Sequence, residues 1–301
     1  MPSHESPVTT PGTSLSCVDV NRRPCTVGIL GGLLAVAVSA GTAAPRAGHL
    51  VLLGGGPTPS VVFARTLDLS GGRAAVIVVL PQTYPNDSLG DAAVAMWKGM
   101  GVRNVAKISL DAPLAAGAAL DRATLIWMPG GFQGLLMKRL AGSPIPDAIR
   151  RRFSEGATIG GASAGAAAMS RVMIADESTP EGAALDGPKT ADGLGLWPEA
   201  VVSPHFTERK RMNALTVILA AHPELVGVGI DEGTAVIASN GTLEVVGRGH
   251  VTIVGPRQGS AARATDTGTS GIASRPVVRT LAPGAVFEYG RDGARVDRGR
   301  E

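Results

Sequence analysis

The chain has 301 residues with 44% hydrophobic and 18% charged residues, which suits a folded domain with a sizeable core and excludes a disordered, highly charged chain. Aromatic residues are 3%, so the core must be built mainly from Ala, Val, Leu and Ile. The formal net charge is only +3 and no Lys/Arg run exceeds the three of Arg150–Arg152, which gives nucleic-acid binding no support.

The first stretch reads as an export signal. Polar residues 1–21 lead to Arg22-Arg23 and then to an apolar, small-residue run from Val27 to Ala40. That run is shorter than the roughly 20 residues of a membrane span, and "SAGTAAPRAG" offers small residues for cleavage at Ala43 or Ala44. The expected layout is therefore a signal peptide at 1–44 and a single domain at 45–301. The mature protein would be secreted or held in the cell envelope, without stable membrane association after cleavage. Both cysteines, Cys17 and Cys25, lie in the leader. A nucleophilic enzyme made from the remainder must use an oxygen.

From His49 onward, apolar runs alternate with amphipathic segments. "HLVLLGGG" (49–56) predicts a buried strand ending in glycines, and "VVFARTLDLSGG" (61–72) a helix with a Gly stop. "AAVIVVLP" (74–81) is a second strand and "DAAVAMWKGMGV" (91–102) a helix whose Met96, Trp97 and Met100 form a core stripe. "NVAKISL", "ATLIWMPGG" and "GATIGGAS" add three strands. Helices between strands of this kind predict a parallel sheet covered on both faces. After about residue 233 the pattern changes. "TAVIASNGTLEVVGRGHVTIVGP" (234–256) carries an Asn-Gly hairpin signal between alternating strands. Residues 257–276 are small and polar and read as a mobile loop, and "VVRTLAPGAVFEYG" closes with strand and turn.

One serine stands out. Gly161-Ala162-Ser163-Ala164-Gly165 matches G-x-S-x-G after an apolar strand and before a helix former, the setting of a nucleophile elbow. Tiny neighbours let a serine take strained backbone angles without a clash. Such a serine needs a base. Of the five histidines, His4 is in the leader, His49 starts the domain, His222 sits at a helix end and His250 in the hairpin region. His205, in "VVSPHFTERKRMNAL", lies where an apolar strand ends and a charged helix is expected to begin, the edge at which α/β sheets gather function. A second small-residue corner, "WMPGGFQGLL" (127–136), leaves the Gly130-Gly131 backbone open and adds the amide of Gln133.

Together these stretches resemble the cyanophycinase family, within the S51 serine peptidases that include aspartyl dipeptidases. "GGASAGAAAMS" is similar to the nucleophile segment, "PGGFQGLL" to the Gly-Gly-x-Gln loop, "GLGLWPEAVVSPHFTERKRM" to the histidine segment and "GVGIDEGTAVI" to the strand-turn after it. The resemblance implies a three-layer α/β/α fold with a mainly parallel sheet, class I glutamine amidotransferase-like and flavodoxin-like, with an antiparallel C-terminal extension. It implies a Ser–His–acid triad with no metal and no cofactor. Glu181, 18 residues after Ser163 and 24 before His205, fits the family's acid, while Asp176, Glu177, Asp231 and Glu232 remain rivals. Gly131 and Ala164 are the expected oxyanion-hole donors, and Gln133, Arg209 and Arg211 the expected substrate contacts.

The implied substrate is an Asp-containing peptide or isopeptide, with cyanophycin first: an aspartate polymer bearing arginine on its β-carboxyls, cut to β-Asp-Arg dipeptides. Departures bear on that choice. Ser203 stands where the family often has an acid, Asn213-Ala214 where a further basic residue is expected, and the first strand ends "GGGPTPS". An aspartyl dipeptidase of the peptidase E kind is the nearest alternative. An α/β-hydrolase esterase using His250, and a non-catalytic amidotransferase-like binding protein, are the others. A homodimer is left open.

Overall fold

The computed structural model describes residues 47–81, 87–175, 187–255 and 276–289. The expected leader, most of the expected mobile loop and Glu181 lie outside the described residues. Among the described residues, no helix is long and apolar enough to cross a membrane.

The chain begins with β1 (Leu50–Leu53), whose four residues are all buried. It continues through α1 (Ser60–Leu69), β2 (Val76–Val79), α2 (Ser88–Gly99), β3 (Asn104–Lys107), α3 (Pro113–Leu120) and β4 (Leu125–Met128). Helices α4 (Gln133–Leu140) and α5 (Ile145–Ser154) precede β5 (Thr158–Ala162) and the single-turn α6 (Ala164–Ala167). β1, β5, β4, β2 and β3 pair in that order, all parallel. Runs such as "LVLL" and "LIWM" show no alternation because both faces of these strands are covered.

Each face has its own core. Val51, Leu53, Ile77, Val79, Leu125 and Trp127 point toward α1 and α2, which contribute Val62, Leu67, Ala93 and Trp97. Trp97 is fully buried and meets Trp127 edge-on at 5.2 Å, so the predicted Met/Trp stripe is packing. Leu50, Leu52, Val78, Leu80, Ile126 and Met128 point the other way, toward Leu120, Leu136, Leu140, Ile145 and Ile149 of α3, α4 and α5.

The second half departs from the expected single sheet. β6 (Val172–Ile174) and β7 (Thr190–Asp192) form a two-stranded ladder of their own. β8 (Ala200–Pro204) and, after α7 (Met212–Ala221), β9 (Val226–Ile230) are parallel partners in a second, four-stranded sheet. The C-terminal strands are shared between the two sheets. β10 (Thr234–Ser239), β11 (Thr242–Gly247) and β14 (Val286–Glu288) extend the first sheet, with β10 antiparallel to β1. β12 (Val251–Gly255) and β13 (Val277–Leu281) extend the second, antiparallel to β9. The Asn-Gly hairpin forms as read: Asn240 and Gly241 have φ of 49° and 78°, and Ser239 faces Thr242.

Candidate active site

The site lies at the carboxyl ends of neighbouring strands β1, β4 and β5, where β8 and β9 also end. Past β5 the chain turns abruptly at Ser163, whose φ of 53° and ψ of −113° lie outside the ordinary regions for a residue with a side chain. Its N–H donates to the Leu53 carbonyl at the end of β1, which holds the turn in place. The glycines on either side are sterically required. A Cβ on Gly165 would stand 2.1 Å from the Met128 carbonyl oxygen, and one on Gly161 2.6 Å from the Gly165 backbone. The elbow therefore folds α6 onto β4 at a distance only glycine permits, and Ser163 is left at the apex.

His205 directly follows β8. Its φ is 49°, its N–H donates to the Gly54 carbonyl at 2.9 Å, and it is 7% exposed. Its ring reaches across the strand ends so that Nε2 lies 2.8 Å from Ser163 Oγ. Gly55 makes room for it: with φ of 96°, a Cβ there would sit 2.4 Å from the imidazole. The other ring nitrogen, Nδ1, lies 2.6 Å from Glu232 Oε1. A carboxylate can only accept, so Nδ1 carries the proton and Nε2 is left to accept from the serine hydroxyl.

The carboxylate at the base is thus Glu232, one of the four rivals, in the position for which Glu181 was preferred. Glu181 itself lies outside the described residues. Glu232 follows the apolar strand β9, at the same kind of strand edge that singled out His205. Reading that edge for acids as well as bases would have found it, whereas spacing along the chain does not measure distance across strand ends. The helix expected directly after His205 starts later. Residues 206–211 form turns, and α7 starts only at Met212.

The remaining predicted residues fall as follows. Gly131 has φ of 141° and belongs to the corner after β4, where a Cβ on its neighbour Gly130 would stand 3.7 Å from Ser163 Cβ. Ala164 is the first residue of α6, where no preceding helical turn supplies an acceptor for its N–H. Gln133 is 2% exposed and its Nε2 donates to the Ile174 carbonyl at 2.9 Å, so its amide nitrogen ties α4 to the end of β6. Arg209 is half-buried on the turn after the base, its N–H bonded to the His205 carbonyl. Arg211 is only 4% exposed and lies in the protein interior, just before α7. His250, the base required by an α/β-hydrolase reading, donates its main-chain N–H to Asp231. Ser203 is fully buried in β8.

Comparison with known proteins adds a family to this geometry. The model of peptidase family S51 matches residues 60–246. A cyanophycinase of Geminocystis herdmanii is 36% identical over 64% of this chain and 74% of its own length. One from Synechococcus elongatus is 39% identical over 62% of this chain and 61% of its own. Peptidase E of Salmonella arizonae is 30% identical over 58% of this chain and 76% of its own. The crystal structure of a peptidase from an acI-B1 actinobacterium superposes with a TM-score of 0.58 at 18% identity, covering 82% of this chain and 98% of that one, a likeness of fold.

Proposed function

The chain is a serine peptidase belonging to family S51, and on that premise we propose that Ser163, His205 and Glu232 are its nucleophile, base and orienting acid. The continuous Ser163–His205–Glu232 hydrogen-bond chain, 2.8 Å and 2.6 Å long, carries the reading. As Ser163 Oγ attacks the scissile carbonyl, its proton passes to His205 Nε2. The carbonyl π pair moves onto the oxygen, and the N–H groups of Gly131 and Ala164 are its proposed donors. Glu232 keeps the ring in its reactive tautomer and offsets the charge of the imidazolium. Collapse of the tetrahedral adduct breaks the C–N bond, and Nε2 returns the proton to the leaving amine. Water, deprotonated by the same nitrogen, then releases the acyl group and regenerates the serine.

The substrate we propose is cyanophycin, released as β-Asp-Arg. Its support is the higher identity to cyanophycinases than to peptidase E, 36–39% against 30%. Arg209, beside the base, is the proposed contact for a substrate carboxylate, by bidentate hydrogen bonding. Gln133 and Arg211, with the burial described above, are proposed to shape the site rather than to reach into it. The leader-like residues 1–44 support export. The test is incubation of the full chain, wild type and Ser163→Ala, with insoluble cyanophycin while soluble β-Asp-Arg is followed by mass spectrometry. Wild type should release dipeptide, and the variant should be slower by about 10⁴-fold or more. Equal release by both would remove Ser163 as nucleophile. Release only from β- or α-aspartyl dipeptides would move the substrate to the dipeptidase alternative.

A further inference from the structure

Two acids flank the proposed triad without touching the nucleophile. β8 and β9 are parallel neighbours, with Pro204 opposite Ile230, so the segments that leave them run side by side. One carries His205, Thr207 and Glu208. The other carries Asp231, Glu232 and Gly233. Asp231 is 9% exposed, and both of its oxygens are engaged. Oδ1 accepts the Thr207 N–H at 3.2 Å and Oδ2 the His250 N–H at 3.1 Å. Glu208 answers from the opposite side, its Oε1 accepting the Glu232 N–H at 3.1 Å. Each segment thus holds the other by a carboxylate on its backbone, one residue from Glu232 in one case and three from His205 in the other.

Further hydrogen bonds brace the same turn. The Asp231 N–H donates to the His250 carbonyl, the Arg248 N–H to the Gly233 carbonyl and the Gly249 N–H to Thr234 Oγ1. The turn bearing Glu232 is therefore braced by residues 248–250 on one side and by the His205 segment on the other. Asp231 is the side chain that joins the two braces. An amide in its place keeps one acceptor and turns an NH₂ toward the second N–H, donor against donor.

We propose that Asp231, with Glu208, is a positioning residue for hydrolysis, setting the separation of the His205 and Glu232 segments so that Nδ1 and Oε1 stay in hydrogen-bond contact. This rests on the triad assigned above. Neither acid exchanges a proton with substrate; each acts through the backbone of the residues that do.

The experiment uses the full chain as wild type, Asp231→Asn, Glu208→Ala, the double variant and Ser163→Ala. Three quantities are read: the rate at which a fluorophosphonate phosphonylates the protein, the low-field proton resonance of His205 Nδ1, and the melting temperature. A misplacement of about 1 Å at such a site can cost about 100-fold. Asp231→Asn should slow phosphonylation about 10- to 100-fold and shift or broaden the Nδ1 resonance. Glu208→Ala, at an exposed side chain, should slow it several-fold, and the double variant should fall short of the product of the two. Wild-type labelling rates with an unchanged resonance in the single variants would overturn the proposal, whatever the melting temperatures. Should Asp231→Asn not fold, Glu208→Ala decides alone by the same criterion. Equal labelling of wild type and Ser163→Ala would instead sink the triad, and the positioning role with it.

Discussion

Glu232 divides its two oxygens between two tasks. Oε1 holds the imidazole, while Oε2 lies against the Gly56 backbone, where a Cβ would come within 2.4 Å of it. Glu232→Gln keeps the shape but offers Nδ1 either an amide oxygen or an NH₂, and the second choice turns the ring to the unreactive tautomer. Turnover of the purified variant should fall by about 10⁴-fold with the melting temperature close to wild type, read by dipeptide release and thermal melts side by side. At this scale the sequence was legible where chemistry leaves few options. The G-x-S-x-G motif singled out Ser163, and among five histidines the strand-edge position singled out His205. The acid could not be singled out, because many carboxylates are available and only folding decides which one reaches Nδ1. Gln133 and Arg211 show the same limit from the other side: their burial follows from α4 and α7 packing down, which no motif records.

Among the elements, the elbow between β5 and α6 is the most constrained. Gly165 lets α6 rest on β4, and the carbonyl that a Cβ would strike there is main chain that cannot rotate away. Gly165→Ala should therefore destabilise the protein by about 1–3 kcal/mol, as other overpacked cores do, and lower the melting temperature by several degrees in a thermal or urea melt. Activity should fall as well, since the displaced turn carries Ser163. The strands of the parallel sheet were readable from their apolar runs and the β10–β11 hairpin from Asn240-Gly241, whereas the short β6 and the exposed β7 were not. Nor was sheet membership. "AVVSP" and "VGVGI" look like any buried parallel pair, and nothing local says that β8 and β9 leave the first sheet for a second one. Partner choice is a property of crossovers and packed faces rather than of a strand's own residues.

For the molecule as a whole, the segment after β14 is fastened to the body by Tyr289. Its ring packs on Trp197 at 5.2 Å and its N–H donates to the Gly241 carbonyl. Burial, with the negative charge of Glu199 adding to it, pushes the phenol up to about 12. The unfolded chain would ionise near pH 10, so between pH 10 and 12 it binds fewer protons than the folded one and stability falls as pH rises. Below pH 10 this contribution is intact. Chemical denaturation across pH 9–12 should show that decline in wild type, and Tyr289→Phe should remove it.

The proposed nucleophile and base come from different sheets: Ser163 follows a strand of the first, His205 and Glu232 follow strands of the second. They meet where the Leu53, Gly54 and Gly55 carbonyls take the N–H groups of Ser163, His205 and Gly233 in turn. Catalytic competence therefore belongs to the seam rather than to either half. A small parting of the seam would silence the enzyme while both sheets kept their ladders, so turnover serves as a strain gauge on this joint. A molecule wedged there would inhibit without resembling any substrate.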